Sequence, residues 1–431
     1  MRQGSLPGIL QKPYLETTVK QYSTSADIKG KSNLEYLIEQ LCPDGVEYKT
    51  LGELGTFVRG NGLQKKDFVA NGVGCIHYGQ IYTYYDTVAY TTKSFVTPEL
   101  ANSLKKVKKC NLIIACTSEN VEDVCKSVAW LGDEEIVIGG HSAIFSHSQN
   151  PKYIAYFFQC AYFFEQKRKI ATGTKVIEVA PVKLKKIKIP VPPLPIQEEI
   201  VRILDTFSEL IAELTAELNK RKQQYQYYRD ELLKFGDDVE WYEFKKCIKE
   251  NIGGGTPSKT NKYYWNGNIP WASVKDIVNC NLYLKKTKDF ITNIGLYNSP
   301  SHIIRNGNII VATRINCGKM VITNIDVAIN QDLRGIILNN TVLNKYVVYY
   351  FQTLKIEGIG TTVKGISIQE LENIKIPVPP ISEQERIVSI LDRFDALCND
   401  LTSGLPAEIN ARKKQYEYYR DKLLTFKELK K

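Results

Sequence analysis

Apolar residues fall at Ile196, Ile200, Ile203, Phe207, Leu210, Leu214 and Leu218, then at Tyr225, Tyr228, Leu232 and Phe235. The steps alternate mainly between three and four, which is the seam of a helix packed along another helix. At ~1.5 Å per residue, about 40 residues make a rod of roughly 60 Å. The pattern returns at Ile387, Ile390, Phe394, Leu397 and Leu401, then at Ile409, Tyr416, Tyr419, Leu423 and Phe426. Both runs follow the pentapeptide IPVPP, whose prolines favour an extended entry. Two seams in one chain bury each other most economically as an intramolecular antiparallel pair.

The two runs are copies. Lys188 to Phe207 and Lys375 to Phe394 align without a gap and agree at 14 of 20 positions. RKQQYQYYRDELLKF from Arg221 and RKKQYEYYRDKLLTF from Arg412 agree at 11 of 15. Upstream, GTKV at Gly173 answers GTTV at Gly360, and KYIAYFFQ at Lys152 answers KYVVYYFQ at Lys345. The second copy is longer by four residues, because TAELNKR becomes TSGLPAEINAR. That is about one helical turn, which keeps the seam on one face. Pro406, after Gly404, should kink or restart the second helix, since proline lacks the amide and clashes with the preceding turn.

Between the helical runs lie short β-like stretches such as NLIIACT from Asn111, EEIVIGG and NIIVATR from Asn308, punctuated by Gly, Asn and Pro. The expected fold class is α+β: two mostly-β globular domains separated by two long helices that form an antiparallel coiled coil with pseudo-two-fold symmetry. The expected division is a polar, poorly ordered leader over 1–31, a short N-terminal helix over 32–44, a globule over 45–187, a helical region over 188–236, a second globule over 237–374 and a second helical region over 375–431. LEYLIEQLCPDGVEY before the first globule stands where YYRDELLKFGDDVEWYEF stands before the second. It should therefore form a short helix, from about Ser32 to Leu41, beside the C-terminal helix.

Composition narrows the chemistry. The chain has 431 residues, 43% hydrophobic and 24% charged, as in ordinary globular proteins. Its sequence holds no apolar run of the ~18 residues a membrane span needs, and its first residues lack the apolar core of a secretory signal, so the expected location is the cytoplasm. Ten cysteines show no CxxC, and the four histidines form no ligand cluster. Buried free thiols and no metal are expected. The net charge of +10 favours an acidic partner such as nucleic acid. NIGGGTPSK from Asn251 fails the phosphate-loop spacing, because Lys259 follows Ser258 rather than glycine. No nucleophile elbow, dinucleotide fingerprint or methyltransferase tetrapeptide occurs, so no catalytic residues and no cofactor are expected.

Binding chemistry remains. HYGQIYTYYD at His77, YYWNGNIPWASVKD at Tyr263, ATRINCGK at Ala312 and INQD at Ile329 interleave aromatic, amide and basic side chains. Amides and guanidiniums pair with base edges, lysines meet phosphate, and aromatics wedge or stack. The candidate DNA-binding residues are Lys65, Lys66, Gln80, Tyr82, Tyr84, Thr117, Ser118, Asn120 and His141 in the first globule. In the second they are Thr256, Ser258, Lys259, Trp271, Ser273, Lys275, Arg314, Asn316, Lys319, Asn330 and Gln331. KLKKIK at Lys183 faces either phosphate or solvent. For the helix pair the candidates are Ile200, Ile203, Phe207, Leu214, Tyr225, Tyr228, Ile387, Ile390, Phe394, Leu401, Tyr416 and Tyr419.

The two IPVPP blocks, each continuing into Q-E-x-I-V-x-I-L-D-x-F, the AELTAEL stretch at Ala212, both Q-Y-x-Y-Y-R-D-x-L-L tails and the segments LCPDGVEYKTLGEL and IPWASVKDI resemble the specificity subunits of type I restriction-modification enzymes. The resemblance implies two target recognition domains, each reading half of a bipartite duplex DNA site, on conserved helices that dock two methyltransferase subunits. Restriction and translocation subunits join through these. Catalysis and the S-adenosylmethionine site would then belong to the partners, making this chain a non-catalytic subunit. It also implies a ruler: one inserted turn near Leu214, about 6 Å, would change the unread spacer by roughly 1 to 2 base pairs. Three other readings stay open: a methylation-only system, a self-contained DNA-modifying enzyme and a coiled-coil scaffold with protein-binding globules.

Overall fold

The computed structural model describes residues 32–360, 364–400 and 402–429; the expected leader, 1–31, and Leu401 of the expected seam lie outside them. The chain divides into two compact units, one running through Ala212 and resuming at Ala411, the other spanning Glu213–Asn410. The division runs through the long helix Leu194–Leu232.

Each unit is built on the same plan. In the first, a five-stranded sheet has the order Gly55–Arg59, Ser142–His147, Leu112–Ala115, Ser127–Trp130, Val88–Ala89. A four-stranded sheet orders Ser94–Val96, Val73–Ile76, Ile136–Ile138, Lys105–Val107. The second unit repeats both: Ile248–Gly253, Leu333–Leu338, Ile309–Ala312, Met320–Thr323, Tyr283–Leu284, and Asp289–Ile291, Trp265–Ala272, Val327–Ile329, Ile303–Ile304. The globules thus keep one topology where sequence similarity has largely gone.

The apolar runs have a physical reason. Strand side chains alternate between faces, and LIIA and IIVA are buried on both. Leu112 and Ile114 join the core under the helices, whereas Ile113 and Ala115 join the core shared with the four-stranded sheet. Ile309 and Val311 separate from Ile310 and Ala312 in the same way.

The repeated blocks are the joint between globule and helix. Gln197 and Gln384 are fully buried. Gln197 Nε2 donates to Pro192 O at 2.8 Å and Gln149 Oε1 at 2.8 Å, and its Oε1 accepts from Asn150 N. Gln384 Nε2 donates to Pro379 O at 2.9 Å and Thr341 O at 3.0 Å, and its Oε1 accepts from Leu343 N. Asp205 receives Lys152 Nζ at 2.7 Å and Tyr156 Oη at 2.6 Å; Asp392 receives Lys345 at 2.6 Å and Tyr349 at 2.8 Å. Tyr153 and Tyr346 each donate to the carbonyl of a strand proline, Pro190 and Pro377, at 3.0 Å. A buried polar group must keep its partners, which explains why these positions are the ones that match.

The second helical region is two helices, Ile381–Asn399 and Leu405–Leu423. The break falls before Pro406, where a Cβ on Gly404 would stand 2.5 Å from Ala396 O. Ile196, Ile200, Val201 and Leu204 are buried against the first globule, and Ile387, Val388 and Leu391 against the second. The opening turns of both seams therefore serve the helix-on-globule contact. Helix pairing comes further along: Phe207 stacks on Tyr419 within the first unit and Tyr228 on Phe394 within the second. Leu214 and Tyr225 are buried, while Ile203, Ile390 and Tyr416 are half-buried.

At the start of the described chain, Asn33–Leu41 is a helix capped by Ser32 and Glu35. Leu34 shares a core with Leu424, and Tyr48 Oη donates to Phe426 O at 2.9 Å. All ten cysteines are free; most are buried or half-buried, but Cys110 is exposed.

Candidate nucleic-acid interface

Four loops meet in each unit, two of them leaving strands of the five-stranded sheet and two leaving strands of the four-stranded sheet. They follow the strands Gly55–Arg59, Val73–Ile76, Leu112–Ala115 and Ile136–Ile138, and their counterparts Ile248–Gly253, Trp265–Ala272, Ile309–Ala312 and Val327–Ile329.

In the first unit Arg59 Nε donates to Gly140 O at 3.0 Å, Tyr82 Oη to Thr117 O at 2.8 Å, and Thr117 Oγ1 lies 3.1 Å from His141 Nδ1. Around them is an open depression of about 480 Å³, lined by Gln64, Lys65, His77, Tyr78 and His141 among others. Lys65, Lys66, Tyr84 and His141 are exposed. Burial, with Lys65 and His141 nearby, lowers the His77 pKa, favouring a neutral ring that accepts from Gly79 N. The remaining candidates are tied inward. Gln80 donates to Ser94 and accepts from His77 N, Asn120 is bonded twice to Asp123, and Thr117 is buried. Ser118 lies in a short strand paired with Ile177. Burial raises the Tyr82 phenol pKa, so it stays a donor.

In the second unit Trp271 is a core residue, 5% exposed, and its Nε1 donates to Gly255 O at 3.2 Å. This corrects its expected place at the surface: the strand Trp265–Ala272 turns that ring inward against Trp265. Asn330 is likewise buried, its amide bound to Asp332 Oδ2 at 3.1 Å. Ser273 caps the helix Val274–Val278, its hydroxyl donating to Asp276. Lys319 is half-buried, and desolvation lowers its pKa. Exposed positions are Ser258, Lys259, Lys275, Arg314, Asn316 and Gln331. Thr256 donates to Gln331 Oε1, and Arg314 Nη1 lies 3.6 Å from Asp332 Oδ1.

Sequence reasoning missed Asp332, which gathers Arg314, Asn330 and Gln331, and Tyr78, whose ring lies 4.8 Å from His141. Both stand inside stretches singled out by composition, but only strand register says which neighbour faces outward.

A family model described as type I restriction modification DNA specificity domain matches residues 43–221 and 243–411. The type I restriction enzyme EcoR124I/EcoR124II specificity subunit of Escherichia coli is 43% identical over 259 residues, covering 56% of this chain and 63% of that relative. That match spans less than two thirds of the relative. A type I restriction enzyme specificity subunit of Haemophilus influenzae is 34% identical over 275 residues, covering 59% of this chain and 68% of the relative. Among solved structures, a chain described for complex assembly and conformational transition of the type I R-M system superposes with a TM-score of 0.61. It is 18% identical and covers 89% of this chain and 98% of that one, which shows a shared fold. With two matched segments making up most of its length, the chain belongs to the type I restriction modification DNA specificity domain family.

Proposed function

We propose that this chain is a non-catalytic DNA-recognition subunit. The loop face of each globule reads one half of an asymmetric bipartite duplex site, and the helical regions dock two methyltransferase subunits, with a restriction subunit joining through them. The observation that carries this reading is that one loop framework is used twice with different outward side chains. Lys65, Tyr84 and His141 stand on one copy, and Lys259, Arg314 and Gln331 on the other. Two dissimilar readers on one frame suit two dissimilar half-sites.

Exposed Lys and Arg supply phosphate contacts, while Arg and Gln also make paired bonds to purine edges. The unbroken helix Leu194–Leu232 suits the ruler reading, in which a tetrapeptide added near Leu214 lengthens the spacer. No described helix is long and apolar enough to cross a membrane, and we place the protein in the cytoplasm as part of this proposal.

The test is co-expression with a type I methyltransferase subunit from the same source, followed by methylome sequencing. A single asymmetric two-part motif is expected, and replacing one globule should change one half only. Absence of any two-part methylated motif would overturn the reading.

A further inference from the structure

The repeat alignment runs without a gap from Gly173–Phe207 onto Gly360–Phe394, and along it the charge changes. Residues 173–188 contain five lysines and one glutamate; residues 360–375 contain two lysines and two glutamates. Lys175 answers Thr362, Lys185 answers Glu372, and Lys186 answers Asn373. Both segments build a short helix that ends by burying a leucine, Leu184 or Leu371, before the strand Lys188–Pro190 or Lys375–Pro377. The framework therefore does not need the lysines.

The first unit also carries a helix, Ala161–Ile170, that the matching stretch of the second lacks. Its last turn holds Lys167, Arg168 and Lys169. Lys167 is structural: it is buried and donates to Glu122 O at 2.9 Å and Val124 O at 2.8 Å. Gln166 fastens the helix to the strand, donating to Lys188 O at 2.9 Å and accepting from Lys188 N at 2.8 Å. Lys183 Nζ reaches Ile170 O at 3.2 Å. These bonds stitch together the segments that carry Lys169, Lys185, Lys186 and Lys188, all exposed and without an ion pair among the described residues. Lys175 lies in the hairpin between Thr172 and Glu178, and the returning strand pairs with Thr117–Ser118 at the loop face.

We infer that this lysine strip is a sequence-independent site for the phosphate backbone of duplex DNA, holding the duplex beyond the half-site read by the first globule. The inference rests on the recognition reading above. Continuity with the loop face favours DNA over an acidic protein. So does the residue type, since exposed lysines act as point charges toward phosphate and carry no base information. Among the described residues the second unit offers no equivalent, so the two half-sites would be gripped unequally.

The test replaces Lys175→Thr, Lys185→Glu and Lys186→Asn together, residues the second repeat already places at the matched positions. In the assembled complex with its methyltransferase, affinity for the bipartite duplex is measured across a salt series by fluorescence anisotropy. Each lost phosphate contact lowers the slope of log K against log salt by about 0.9, so a drop of roughly 2 to 3 is expected, with an unchanged methylated motif. A variant that fails to fold is replaced by the neutralising set Lys175→Gln, Lys185→Gln and Lys186→Gln. An unchanged slope overturns the inference while recognition stands. So does an unchanged slope with impaired methyltransferase assembly, which would mark the strip as a protein contact. A wild-type complex that binds no bipartite duplex specifically overturns both readings.

Discussion

Phe207 stacks on Tyr419 with ring centroids 5.5 Å apart and planes 24° apart, and the repeat-related pair Phe394 and Tyr228 stacks at 5.5 Å and 25°. The same two rings thus close the helix pairing in both units. Phe207→Ala removes a half-buried ring and its stacking on Tyr419, for an expected loss of about 1 to 3 kcal/mol. Phe394 also lies 6.3 Å from Tyr225, so Phe394→Ala should cost more. Urea denaturation of both variants checks the order; equal midpoints for wild type and Phe394→Ala would show that the stack carries no stability.

Gln384 presents a sharper case, because its side chain is fully buried and serves three backbone groups. Gln384→Leu keeps most of the volume but leaves Thr341 O, Pro379 O and Leu343 N without their partner. Stranding buried groups costs roughly 1 to 3 kcal/mol, and more when several are stranded together. A loss of about 3 kcal/mol is expected in chemical denaturation, whereas the exposed neighbour Glu385→Gln should move the midpoint little.

The repeat, the long helices, the break at Pro406 and the β-rich globules were legible because they depend on periodicity and on proline chemistry, which are local. What the repeat was for was less legible. Ile200 and Ile387 fit a coiled-coil seam, yet they pack on the globules, since a helix stripe cannot say which surface will cover it. Residue type singled out Lys65, Arg314 and Gln331, and all three are exposed on the loops. Trp271 and Asn330 lie within the same motifs but point inward, because that choice depends on register with strands far away in sequence. Nor did the sequence reveal that the two globules share a strand order, since burial on both faces constrains volume and polarity more than identity.

His147 ends a strand in the first core, and burial holds its imidazole down to about 4, with a contact to the Gln149 backbone offsetting part of this. The unfolded chain therefore takes up a proton between about pH 6.5 and 4 that the folded chain refuses. Stability from this group is full above 6.5, falls as the pH drops through that window, and levels off below about 4. The expected loss is about 2 to 3 kcal/mol. Denaturation of wild type and His147→Phe at pH 7 and pH 5 isolates it, because other groups titrate alike in both. Parallel pH profiles would mean that the ring is not held neutral.

Ile315 has φ of 56° and is 53% exposed, a left-handed conformation that a β-branched residue seldom adopts and that no burial rewards. Its neighbours impose the turn. Ile315 N donates to Lys364 O at 3.0 Å, Asn316 and Gly318 are also left-handed, and Arg314 bridges to Gly365. Strain that surroundings enforce without an internal return is found at working surfaces, and here it presents an apolar side chain beside Arg314 on the second loop face. Asn tolerates this conformation, so Ile315→Asn should raise stability by about 1 kcal/mol. If the side chain meets DNA, the same substitution weakens binding of the bipartite duplex, so stability and affinity move in opposite directions. Thermal denaturation and anisotropy on one preparation read both. A stabilised variant with unchanged affinity would leave Ile315 out of the DNA contact, and a destabilised one would show that the turn depends on the isoleucine itself.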